Sequence, residues 1–145
     1  MLASVAVSHL PAAHAQAAHQ PSALAVVQKY FNAFNAGMQN GNFNGLRSIY
    51  APNAVLTTSN PLGESKVSHG IVQIIAFYQA AYVKFHGFHW TQDSTRLLSK
   101  DVVLNYEFAT TGGRVSEPGR CAHVFVIKNG KINTLDWITF YSGQT

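Results

Sequence analysis

Residues 23–38 place Val27, Tyr30, Phe31, Phe34 and Met38 at i, i+3, i+4, i+7 and i+11. That spacing lays them along one face of an amphipathic helix. Ser22 stands where an N-cap is wanted, and Gly37, Asn40 and Gly41 stop the run. Phe43, Leu46 and Tyr50 share one side of a short second helix over 43–50, which Ala51-Pro52-Asn53 ends. Ala54–Thr58 reads as a first strand, and Ser59–Gly70, with Pro61, Gly63 and Ser65, as a loop. Ile71, Ile74, Ile75, Tyr78, Tyr82 and Phe85 return to the helical period and predict a third helix over 71–85, closed by Gly87.

After Gly87 the period falls to two residues, and four strands are predicted at 88–98, 102–111, 120–128 and 131–141. Their turns are Ser99-Lys100-Asp101, the stretch from Gly112-Gly113 to Pro118-Gly119, and Asn129-Gly130, the last a strong hairpin signal. In 102–111, Val102, Leu104, Tyr106 and Phe108 share one face, and Asn105 and Glu107 the other. Strand 120–128 is apolar on both faces, so both need cover: helices on one side, a second subunit on the other. The element order predicts an α+β fold, three N-terminal helices packed on a strongly curved, mainly antiparallel sheet. A bent sheet wrapped around a long helix leaves a conical central pocket.

Composition changes this picture little. The chain has 145 residues, of which 47% are hydrophobic and 12% aromatic, as expected of one globular domain. Only 11% are charged against the usual ~25%, which points either to covered faces, hence an oligomer, or to a polar, uncharged exterior. The net charge of +4 comes from scattered lysines and arginines, with no basic stripe for nucleic acid. No apolar stretch is long enough to span a membrane. Residues 1–21 form an Ala-rich leader in which Ala13-His14-Ala15 before Gln16 matches an export-signal cleavage pattern, without a basic start. A truncated signal implies a periplasmic or secreted protein; otherwise the protein is cytoplasmic. Residues 22–145 form the domain.

Candidate chemistry follows from polar groups on apolar elements. Tyr30 lies on the buried stripe of the first helix, so its hydroxyl either meets a core partner or faces a ligand. His123 is the one histidine in a predicted core strand, and as a neutral imidazole it can serve as a general base if it faces inward. Asp136 interrupts an apolar strand; it either completes an Asp–His dyad with His123 or pairs with an arginine such as Arg120. Phe34, Tyr50, Tyr78, Tyr82, Trp90, Tyr106, Phe108 and Trp137, together with Asn60, are the candidate pocket lining for a small hydrophobic, oxygenated molecule. Cys121 is the only cysteine, which excludes an intrachain disulfide and a cysteine-based metal site; it is expected to be buried and inert. His69, His86 and His89 flank the third helix without an H-E-x-x-H pattern, so no metal and no other cofactor is expected.

The run Val26-Val27-Gln28-Lys29-Tyr30 to Asn35-Ala36-Gly37, the element Leu46–Val55, the loop Asn60-Pro61-Leu62-Gly63, Gly70-Ile71 through Phe77-Tyr78, Asn105–Phe108 and Asn129–Ile132 carry a resemblance. Together they resemble the nuclear transport factor 2-like superfamily, in its SnoaL-like and ketosteroid-isomerase-like branch, over about 22–142. The resemblance implies a cystatin-like conical barrel, a homodimer joined through the sheet face, and a cofactor-free isomerase, dehydratase or cyclase; a ligand carrier or assembly domain are the alternatives. It places Tyr30 at the site of an oxyanion donor. The family's aspartate base before a proline is matched by Asn60, or by Thr58 without a gap, and its second acid falls in Cys121-Ala122-His123. Steroid isomerisation by that route is therefore not expected. For the epoxide-hydrolase branch, Arg96 and Asp136 supply at most two of three required groups.

Overall fold

The computed structural model describes residues 20–60, 62–111 and 114–140, with the backbone alone at 111 and 114–118. The leader up to residue 19, the turn at Gly112-Gly113 and Tyr141 lie outside the described residues. Helix α1 spans Ala23–Asn40. The Ser22 hydroxyl accepts from the Ala25 N–H at 3.3 Å, and Gly41, at φ 75°, closes the far end through its N–H to the Gly37 carbonyl. All five residues of the predicted stripe are buried, joined by Ala23 and Val26. A methyl group at Gly37 would overlap the Phe43 ring, so the bare backbone lets the following chain lie against the helix.

The predicted second helix is instead a five-residue 3-10 turn, Asn44–Ser48, and strand β1 begins at Tyr50. Asn40 and Asn42 each accept a backbone N–H two residues on, which bends this stretch into successive turns. Among the described residues there are therefore two α-helices rather than three. Strand β1 (Tyr50–Ser59) is followed by β2 (Ser65–His69), which falls in the predicted loop, and then by α2 (Gly70–Phe85). Strands β3 (His89–Ser99), β4 (Val102–Thr111), β5 (Arg114–Lys128) and β6 (Lys131–Phe140) follow. Strand β5 begins at Arg114, so the predicted turn up to Pro118-Gly119 is mostly strand.

One six-stranded sheet results, in the order β2-β1-β6-β5-β4-β3, with β1 and β6 parallel and every other pair antiparallel. Irregular register interrupts four of the five pairs, which is how such a sheet acquires its curvature. Asn129 (φ 52°) and Gly130 (φ 70°) turn β5 into β6 with the left-handed backbone of a tight hairpin. Both helices pack on the inner face, where Val103, Asn105, Glu107 and Ala109 of β4 meet Cys121, His123, Phe125 and Ile127 of β5. Val102, Leu104, Tyr106 and Phe108 point to the outer face. Strand β4 thus turns its apolar alternate side outward and its polar one into the core.

Candidate ligand pocket and the polar interior behind it

Tyr30 of α1, Tyr50 at the start of β1 and Tyr78 of α2 are fully buried and converge on one point. The Tyr78 hydroxyl lies 3.0 Å from that of Tyr30 and 2.8 Å from that of Tyr50. Three hydroxyl hydrogens serve two hydrogen bonds, so one O–H is left over whichever way the chain is oriented. Burial above all, and then neighbouring phenol and Glu107 charge, push the Tyr30 pKa well above the usual phenol value. Burial raises Tyr50 and Tyr78 in the same way. All three are neutral donors near pH 7. Replacing Tyr78 with Phe should cost about 2–4 kcal/mol in a urea titration, because both flanking hydroxyls lose their partner. Tyr50→Phe should cost less, about 0.5–1.5 kcal/mol, since Tyr78 keeps Tyr30.

His123 faces inward and is fully buried. Its ring stacks on Phe31 at 5.8 Å, meets Tyr30 edge-on at 6.1 Å and meets Trp137 edge-on at 4.9 Å. The Nδ1 atom lies 3.3 Å from Oε2 of Glu107, which is only 2% exposed. The two atoms are in electrostatic contact but misaligned for a hydrogen bond. Both ring nitrogens, Glu107 Oε1 and the indole nitrogens of Trp90 and Trp137 are buried without a partner among the described residues. The same Oε2 also receives a long 3.4 Å contact from Asn105 Nδ2, while Oε1 receives none among the described residues. Asn105 is itself fixed, its Oδ1 accepting from Thr95 Oγ1 at 2.7 Å and Gln92 Nε2 at 3.2 Å.

An open cavity of about 460 Å³ lies in front of this cluster, between α2 and the sheet. Trp90 and Trp137 form its floor, and Phe77, Ala80, Ala81 and Phe85 of α2 one wall. Thr58, Asn60, Lys66, Lys84 and Thr139 supply its polar edge. Asn35 holds Trp90 in place: its side chain donates to the Trp90 carbonyl at 2.9 Å and accepts from the Trp90 N–H at 3.0 Å. Asn60 organises the β1–β2 turn, accepting from the backbone of Leu62 and Glu64 and donating to Glu64 Oε2 at 2.7 Å. An amide committed in that way shapes the rim of the cavity.

Of the expected pocket residues, Asn60, Trp90 and Trp137 line the cavity. Phe34, Tyr50 and Tyr78 are packed in the core, filling the cone that was expected to be open. Tyr82 is half-buried near Gly41 and Phe43. Tyr106 and Phe108 lie on the outer face, because odd positions of β4 point inward. Tyr30 and His123 come together, but neither lines the cavity. Asp136 alternates with Trp137 and so lies on the opposite side of the sheet, in register with Val124; this separates it from His123. Arg120 approaches Asp93 at 3.9 Å instead. Glu107 and Asn105 stood out in the sequence only as one face of a strand, and Lys66 and Lys84 only as scattered charges. The signal for the first two was there: polar residues alternating through a strand otherwise rich in apolar ones.

A two-helix, curved six-stranded α+β domain with a side pocket and an aromatic, partly polar interior defines the class. The SnoaL-like domain family model matches residues 27–134, and the chain belongs to that family. No curated protein matches by sequence. A solved Agrobacterium tumefaciens protein, provisionally assigned as an isomerase of the SnoaL-like family, is similar at 19% identity, TM-score 0.66, over 81% of this chain and 96% of that one. A Sinorhizobium meliloti protein provisionally assigned as a polyketide cyclase shares 22% identity, TM-score 0.60, over 77% and 92%. An uncharacterised cystatin-fold protein from Novosphingobium aromaticivorans shares 19% identity, TM-score 0.64, over 81% and 98%. At these identities the likeness is one of fold.

Proposed function

We propose that the protein binds a small, flat, largely apolar organic molecule in the cavity between α2 and the sheet. The observation that carries this reading is the cavity itself, about 460 Å³ with aromatic and alanine walls and a few polar groups at its edge. Trp90 and Trp137 are the only two tryptophans of the chain, so intrinsic fluorescence reports occupancy directly. A screen of bicyclic ketones, phenols and acids should find ligands that shift that emission, and Ala81→Trp should abolish the shift by filling the cavity. Emission unmoved by every class would overturn the reading.

A second reading is a cofactor-free isomerase, dehydratase or cyclase. The Glu107–His123 pair favours it, with three polar atoms unpartnered directly behind Trp137. The provisional assignments of the similar structures lend it support. In this reading Trp137 shifts to admit the substrate, Glu107 or His123 moves a proton, and the spare hydroxyl hydrogen of the tyrosine chain is donated to the substrate oxygen. A ligand recovered from the purified protein should exchange carbon-bound hydrogen in heavy water, followed by NMR, and Glu107→Gln should slow this by at least about 100-fold. Exchange unaffected by that change would leave the carrier reading.

The outer face supports a homodimer in either reading. Tyr106, Ala122 and Ile138 form one cross-strand row, with Tyr106 40% and Ile138 37% exposed. Ile138→Lys should shift the sedimentation of the protein from dimer to monomer.

A further inference from the structure

Lys66 and Lys84 stand on opposite sides of the cavity mouth, one on the edge strand β2, the other in the last turn of α2. Neither ammonium forms an ion pair among the described residues; the Lys84 Nζ instead lies 5.0 Å from the centroid of the Phe85 ring. The lining of the larger cavity has no acidic side chain. A shallower recess sharing both lysines adds Glu64, whose carboxylate is taken by Asn60 at 2.7 Å. Below the lysines the walls are mostly apolar, with Thr58 between Lys66 and the Trp90–Trp137 floor.

We propose that the ligand is a hydrophobic carboxylate, its anionic group at Lys66 and Lys84 and its ring system on Trp137. The inference rests on the cavity being a ligand pocket. The sheet register sets its dimensions. Lys66, Thr58, Trp137, His123, Asn105 and Thr95 are successive neighbours in one row across all six strands. Strands lie about 4.8 Å apart, so Lys66 and Trp137 are separated by roughly 10 Å along this row. That distance suits a carboxylate on a fused bicyclic or similar ring frame. Both lysines are exposed at the mouth, so a neutral molecule gains nothing from them, whereas an acid gains their attraction and is drawn in by the net charge of +4. Exposed lysine heads with stems along apolar surface are well suited to closing over such a ligand.

The test compares 2-naphthoate with its neutral isostere 2-naphthamide by calorimetry on the full chain, with tryptophan emission as the second readout. The acid is expected to bind about tenfold more tightly than the amide at low salt, and the preference to shrink at high salt. Lys66→Gln and Lys84→Gln should each lower acid affinity by about three- to fivefold and leave the amide unchanged. Acid and amide binding equally, or a preference that survives removal of both lysines, overturns the carboxylate assignment while the pocket reading stands. Neither probe binding overturns the assignment, and emission unmoved by the wider ligand screen as well overturns the pocket reading with it.

Discussion

Replacing His123 with Leu is expected to destabilise the protein by about 3–5 kcal/mol, and adding Glu107→Met to recover most of that loss. The single change strands a carboxylate that is 2% exposed between Tyr30, Cys121 and the His123 site, with only the 3.4 Å Asn105 contact remaining. The double change removes both polar groups and fills their volume with apolar atoms next to Phe31, Phe125 and Trp137. Such exchanges of a buried pair for well-packed hydrophobic residues are often neutral or stabilising. Urea unfolding of wild type, both single variants and the double variant closes the cycle and isolates the coupling. A double variant as unstable as H123L would show that the imidazole acts through packing alone. A double variant as stable as wild type has a further consequence. The pair, with three unpartnered atoms, would then add nothing to folding, and its presence would need a reason in ligand chemistry.

How much of this was legible in the chain depends on what kind of information each feature needs. Helix α1 follows from local periodicity, and the β5–β6 turn from Asn129-Gly130, whose two left-handed residues are a local requirement. Strand β2 was invisible because Ser65–His69 is an exposed edge, where nothing enforces alternation. The 43–50 segment had helical apolar spacing, but asparagine side chains competing for the backbone tighten it into a 3-10 turn. Alternation in β4 separated its two faces without saying which one meets the helices. A rule that apolar means inward would bury Tyr106 and expose Glu107, and the structure does the reverse. The orientation is set by register: Asn105 pairs with His123, and His123 with Trp137, so one polar row runs inward beneath α1. Asp136 leaves the site by the same parity, one residue from Trp137. The hydroxyl cluster was out of reach for a different reason. Tyr30, Tyr50 and Tyr78 come from three elements and meet only in the folded chain, where their rings close the cone and move the cavity aside.

Those three phenols make the second large prediction, an abrupt loss of stability above about pH 10. An unfolded tyrosine ionises near pH 10, whereas the folded values of Tyr30, Tyr50 and Tyr78 are raised well above that, chiefly by burial. Above pH 10 the unfolded chain therefore binds fewer protons than the native one, and unfolding stability falls as pH rises. The contribution is fully present below pH 10 and is lost as pH climbs towards the folded values. Each group removes up to about 1.4 kcal/mol per pH unit, so three remove about 4. Cys121, which burial pushes up to about 12, acts in the same direction between its ordinary value and that limit. A domain stable by about 5–15 kcal/mol would be exhausted within one to three units. Tyrosinate absorbance from the interior phenols should then rise together with the loss of far-ultraviolet circular dichroism, and Cys121 should become reactive in the same step. Tyr78→Phe should lower the pH slope by about a third while lowering stability at pH 7. Interior tyrosinate appearing before the fold is lost would mean that water already reaches the hydroxyl chain. The spare hydrogen of that chain would then be within reach of a ligand without the movement of Trp137 that the enzymatic reading requires.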